Sequence, residues 1–144
     1  MWKLVTLLIC LKYSSTFAQE LNYQPLPNTT IPISYNLIIE TKVHSANRLF
    51  TGIVVITAKV LEVTNEIILN SRDLKINNVA VVGAVASGFD VPEQDLLRIQ
   101  LTEELIVDNE YTILIEFSGT MSLVAEGFFR SSYIVRENKV DQYV

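Results

Sequence analysis

This chain of 144 residues predicts an all-β fold, an antiparallel curved sheet or sandwich of saddle-like form. Three observations predict it. Nearly every apolar run alternates with period two or is rich in β-branched residues. Turn signals recur about every ten residues, the rhythm of antiparallel strands. Helical signals are poor, since no window of about a dozen residues carries a capped i, i+3, i+4, i+7 stripe.

The elements follow in chain order. Residues 33–40 place Tyr35, Leu37 and Ile39 on one face and Ser34 and Asn36 on the other. Residues 50–61 form the longest strand signal, and Gly52 inside it marks a bulge or a close backbone approach. Residues 66–69 are a short strand. Asn77-Asn78 tolerates turn conformations and precedes a strand over 79–85. Residues 83–88 read as an apolar turn between strands. The best helical candidate, 91–97 with Pro92 near its start, is only about one turn long. Residues 96–101 and 111–117 alternate again, with the reversal between them at Asp108-Asn109. Residues 128–135 are one more candidate. Residues 139–144 then alternate like the start of a strand, so the β domain is expected to be incomplete at its C-terminal end.

The N-terminus has a different character. Lys3, the apolar run 4–11 and small residues up to Ala18 make the three-part layout of a signal peptide over 1–18. The run is too short for a bilayer, which takes about 20 residues. The domain is then expected over 19–144, with no transmembrane segment in the mature chain. Cleavage also removes Lys3, Lys12 and Cys10. Nine basic residues then face sixteen acidic ones, a net charge of −7, and no cysteine is left for a disulfide. The acidic balance and the lack of a basic stripe argue against nucleic acid. Asn28-Thr29-Thr30 is a glycosylation sequon in a proline-punctuated segment, which fits a secretory route to the outside of the cell or its surface.

The inventory for chemistry is thin. His44 is the sole histidine and sits in a hairpin loop without a second His or Cys beside it, so it does not build a metal site. No serine stands in a G-x-S-x-G elbow. Glu103-Glu104 and the Asp90, Glu93, Asp95 cluster lack calcium-loop spacing and read as solvated loop charges. The residues therefore predict no catalytic, cofactor-binding or metal-ligating group in this chain. The densest functional-looking cluster is Gly127-Phe128-Phe129-Arg130-Ser131-Ser132-Tyr133, where aromatics, a cation and hydroxyls share a turn.

Three ordered stretches carry a resemblance. The first is Leu26-Pro27 leading to Pro32-Ile33-Ser34-Tyr35-Asn36-Leu37. The second is Phe50-Thr51-Gly52-Ile53-Val54-Val55-Ile56, followed by Ile67-Ile68-Leu69-Asn70 and Leu74. The third runs from Tyr111 through Phe117-Ser118-Gly119 to the 127–133 turn. Together they resemble the amino-terminal β domain of the zinc aminopeptidase N family, the gluzincin metalloaminopeptidases, and its insect-like secreted or membrane-attached members above all. Two departures are visible: Leu69-Asn70 where leucine-histidine is frequent, and Gly127-Phe128-Phe129 where glycine-phenylalanine-tyrosine is usual.

The resemblance implies a non-catalytic front domain of a protein that removes N-terminal residues from peptides. It implies that the substrate-binding Gln or Glu, the G-x-M-E-N loop and the zinc-binding H-E-x-x-H helix all follow after residue 144. Zinc is then a cofactor of the catalytic domain, and peptides are substrates only when such a domain is joined. It also implies that Gly127, Phe128, Phe129, Arg130 and Tyr133 form a loop that docks on the catalytic domain. The competing reading of that loop is a turn whose aromatics cap the sheet's own core. The competing reading of the whole chain is a free-standing secreted β-sandwich that binds a partner. Open strand edges and apolar patches are expected to promote association.

Overall fold

The computed structural model describes residues 25–41, 47–92, 95–125, 127–134 and 141–143. The expected signal segment 1–18, with Cys10, and also His44, Glu93 and Val144 lie outside them. The strands are β1 (Thr30–Thr41), β2 (Leu49–Val60), β3 (Thr64–Asn70), β4 (Leu74–Val82), β5 (Ala86–Asp90), β6 (Leu96–Leu105), β7 (Glu110–Thr120), β8 (Ser132–Ile134) and β9 (Asp141–Tyr143). They form a four-stranded sheet in the order β1-β2-β7-β4, a three-stranded sheet β3-β6-β5, and the pair β8-β9. Every ladder is antiparallel.

Alternation in the sequence becomes burial in the structure. Even positions of β2 (Phe50, Ile56, Ala58, Val60) and odd positions of β7 (Tyr111, Ile113, Ile115, Phe117) turn inward. They share one core with Ile67 of β3 and Leu97, Ile99 and Leu101 of β6, so the two larger sheets face each other across a common apolar layer. The tight reversal between β6 and β7 works because Asp108 takes φ +67°, a left-handed value that aspartate tolerates. The Asp108 N–H donates to Val60 C=O at 2.9 Å, and Val60 N–H donates to Asn109 C=O at 3.0 Å. Lys59 Nζ lies 2.8 Å from the Asp108 carboxylate, and this hydrogen bond, then the negative charge itself, raises the Lys59 pKa above 10.5. The pair therefore stabilises the fold through neutral pH, and that contribution fades as pH rises past the raised pKa.

The structure corrects several expectations. Asn77-Asn78 is not a turn. It lies within β4, at a register irregularity between Ile76 and Asn78, and the Asn77 amide reaches the Ser118 hydroxyl of β7 at 3.4 Å. The turn expected over 83–88 contracts to residues 83–85, with Gly83 at φ +91°. Ala86–Asp90 is a strand paired with β6, and its Gly88 sits at a register shift. The 128–135 strand contracts to Ser132–Ile134, because Phe128 and Phe129 belong to a folded-back loop. Gly52 stands in an unbroken register with Phe117, so close approach is what it provides, not a bulge. The contact is to a ring: a Cβ on Gly52 would lie 2.4 Å from Phe117 Cζ.

Ser71 closes the turn after β3. Its N–H donates to Asp95 C=O and its C=O accepts from Leu74 N–H. Its buried hydroxyl has no hydrogen-bond partner among the described residues. Ser71→Ala is therefore expected to leave the melting temperature within about 2 °C of the parent or to raise it, because no hydrogen bond is lost.

Candidate docking site

The 127–133 turn sits at the end of the four-stranded sheet where β7 leaves the core. Met121, the first residue after β7, is buried and held twice by Arg48: its N–H donates to Arg48 C=O at 2.8 Å, and Arg48 Nη1 donates to its C=O at 3.1 Å. Ser122 then clamps the returning chain. Its N–H donates to Phe128 C=O at 2.9 Å, and its C=O accepts from Arg130 N–H at 3.0 Å. These two bonds make a parallel bridge to Phe129. Gly127 makes the fold-back with φ +60°, which glycine adopts at no steric cost.

The two aromatics of the turn have different surroundings. Phe128 packs its ring edge-on against Phe50, centroids 4.9 Å apart at 79°. Phe50 in turn meets Phe117 edge-on at 6.3 Å. The turn is thus pinned to the core through a chain of three rings. Phe129 makes no such ring contact among the described residues, although the two side chains are almost equally exposed, 41% for Phe128 and 44% for Phe129. A cleft of about 340 Å³ lies beside Phe128, with Phe50 and Leu74 on its apolar side and Arg72, Asp73 and Thr120 on its polar side. Arg72 lies 3.8 Å from both Asp73 and Asp95, so one guanidinium is shared by two carboxylates.

Two glycines make room for the rings. Phe50 stands opposite Gly119, and Gly52 stands opposite Phe117, in the β2–β7 register. A Cβ on Gly119 would lie 2.5 Å from Phe50 Cζ. Each ring lies over the glycine across from it, the arrangement by which aromatics cover bare backbone in a sheet. Sequence reasoning singled out Gly52 for close approach, but carried Phe50 and Gly119 only as motif positions with no packing role. The signal was available: Phe50-x-Gly52 and Phe117-x-Gly119 are the same pattern on two strands.

The other sequence candidates fall elsewhere. Asn28 is exposed on the turn before β1. Tyr133 and Ser132 lie in β8, paired with Gln142 and Tyr143 of β9. Arg130 follows the bridge. The acidic residues are not merely solvated loop charges. Asp90 belongs to β5 and lies 3.9 Å from Arg98, which also approaches Glu66 at 3.5 Å; Asp95 faces Arg72. Among the described residues no group of three or more His, Cys, Asp or Glu could hold a metal ion. The residues here do not fit a zinc site, and no helix among them is long and apolar enough to cross a membrane.

Comparison with known proteins finds relatives of this chain. Residues 31–144 match the peptidase M1 N-terminal domain. Human endoplasmic reticulum aminopeptidase 1 is 28% identical over 123 residues, which are 80% of this chain and 13% of that protein. Rabbit aminopeptidase N is 28% identical over 138 residues, 84% of this chain and 14% of the relative. Rice aminopeptidase M1-A is 30% identical over 128 residues, 83% and 14% respectively. The chain thus spans only about 13–14% of the length of these curated relatives. The catalytic zinc of such peptidases belongs to another domain, and the sheet, the ring chain and the clamped turn make up a non-catalytic module. This chain belongs to the peptidase M1 N-terminal domain family.

Proposed function

We propose that this chain serves as the front wall of an M1-type aminopeptidase, a protein that removes N-terminal residues from peptides, and that the 127–133 turn is its contact with the catalytic domain. The match over residues 31–144 carries the first part. The outward Phe129, held on a loop that Ser122 and Phe128 fix in place, supports the second. In this reading residues 1–18 direct the chain into the secretory pathway. Asn28, exposed on its turn, then receives a glycan outside the cell or at its surface. Peptides are handled only when a catalytic domain is joined.

The aromatic pair gives a direct test. Phe128→Ala removes an edge-on ring pair and is expected to cost the isolated chain about 1–2 kcal/mol of stability. Phe129→Ala is expected to leave that stability within about 0.5 kcal/mol. In a fusion of this chain to a relative's catalytic domain, Phe129→Ala is expected to weaken activity toward peptides. Equal loss of stability from both substitutions, with no effect of Phe129→Ala in the fusion, would make the turn a cap of the core alone. The chain by itself is expected to release no amino acids from aminoacyl-anilide substrates with zinc added. Zinc-dependent turnover by the purified chain would overturn the non-catalytic assignment.

A further inference from the structure

Among the strands β1 to β7, β1 is the most exposed. Among the described residues it has no neighbour on the side away from β2. All ten residues from Ile31 to Glu40 are exposed. Tyr35, Leu37 and Ile39 share the inner face with Ile56, Val54 and Gly52 of β2, yet Tyr35 is 63% and Leu37 54% exposed. Edge strands are ordinarily guarded by charge, proline or a bulge. Here Pro32 and the register shift beside it stand at one end, and Glu40, the sole residue of β1 that is charged at neutral pH, stands near the other. Between these guards the run is open on its edge and apolar on its inner face.

We propose that β1 pairs antiparallel with β1 of a second copy of this chain, with Leu37 on the two-fold axis, joining two four-stranded sheets into one. An open edge offers alternating N–H and C=O groups, so its complement is a polypeptide strand, not a lipid or a small apolar molecule. The axis is perpendicular to the sheet and keeps inner face beside inner face. Leu37 is the midpoint of the uninterrupted run 34–40, and centring there makes the strand its own complement. Leu37 meets Leu37, Tyr35 meets Ile39, Asn36 meets Ile38, and Ser34 meets Glu40. The inner pairs are aromatic with β-branched and leucine with leucine, which favour cross-strand packing.

Electrostatics permits the pairing. The two Glu40 side chains lie six residues apart along the paired strands, about 20 Å. That is more than twice the screening length of about 8 Å at physiological salt. A single strand pair falls short of the roughly 800 Å² per partner of standard stable interfaces. The dimer is therefore weak, with a dissociation constant in the micromolar range or above.

Sedimentation velocity on the full chain over a concentration series tests this. The expected result is a shift from monomer to dimer as concentration rises, and at least a tenfold weakening in Leu37→Lys, which sets two ammonium groups face to face. Register is tested in a Cys10→Ser background, since Cys10 is the sole cysteine. Residues opposite each other in an antiparallel ladder have Cα atoms about 4.5–5.5 Å apart, within the disulfide range of about 4.4–6.8 Å. Leu37→Cys is expected to give a disulfide-linked dimer on mild oxidation. Val82→Cys, on the opposite edge strand β4, is the control expected to stay monomeric. Circular dichroism confirms that each variant is folded. Any of three results overturns the proposal: a monomer at every concentration, a dimer unchanged by Leu37→Lys, or equal cross-linking of the two cysteine variants. A chain that stays monomeric but captures another polypeptide along β1 overturns the second copy as occupant.

Discussion

Gly119→Ala is expected to lower the stability of this domain by about 2–3 kcal/mol, the cost of forcing a group into a packed core. The new Cβ would lie 2.5 Å from Phe50 Cζ, 2.8 Å from Cε1 and 3.2 Å from Leu74 Cδ2. An isolated phenylalanine would swing aside cheaply. Phe50 has little room to do so, because it is buried and meets Phe117 on one side and Phe128 on the other. The gain in strand propensity from glycine to alanine is smaller than this clash. In a domain whose total stability is about 5–15 kcal/mol, the loss is readily seen as a lower urea midpoint.

The same substitution should loosen the 127–133 turn, since Phe128 is pinned through Phe50. Chymotryptic cleavage at Phe128 or Phe129 is expected to accelerate. Shortening the ring in the double variant Phe50→Leu/Gly119→Ala should restore part of the stability lost in Gly119→Ala, a coupling read from a double-mutant cycle. An unchanged urea midpoint in Gly119→Ala, or strict additivity in the cycle, would show that the glycine does not make room for the ring.

Ile113→Ala carries the other large effect, an expected loss of about 3–4 kcal/mol. Ile113 has no exposed surface. It lies in β7, paired with Ile56 of β2 on one side and Val81 of β4 on the other. A cavity there cannot be relieved by a shift of β7, which two ladders hold in register. Ile113→Val should cost about 1 kcal/mol, and Val82→Ala, at an exposed edge position, should cost less than about 0.5 kcal/mol. Calorimetry would rank the three, and an Ile113→Ala midpoint no lower than that of Val82→Ala would remove β7 from the centre of the core.

Much of the fold was legible because alternation is a local property. Tyr111, Ile113, Ile115 and Phe117 declare their face from spacing alone, and β7 buries that face. Residues 33–40 and 50–61 likewise fall inside or within one residue of β1 and β2. The misses have physical reasons. Asn77-Asn78 has turn chemistry, but β7 supplies a ladder and Ser118 a side-chain partner, so β4 runs through it with an irregularity. Ala86–Asp90 is short and carries a glycine, and becomes a strand because β6 lies beside it. At the candidate turn the sequence marked the aromatic cluster as a unit. It could not divide Phe128, whose ring meets Phe50, from Phe129, which makes no ring contact among the described residues.

By itself, then, the sequence determined an antiparallel β domain, the inward faces of its long strands and the family pattern they follow. These depend on residue type and period two, both readable within a few residues. The tertiary structure alone decided which strands became neighbours, which glycines sit beneath rings and which edge stays open. Gly52 and Phe117 lie 65 positions apart in the chain and meet only because β2 and β7 pair. A contact of that kind depends on how distant segments close on one another, and no local pattern contains it.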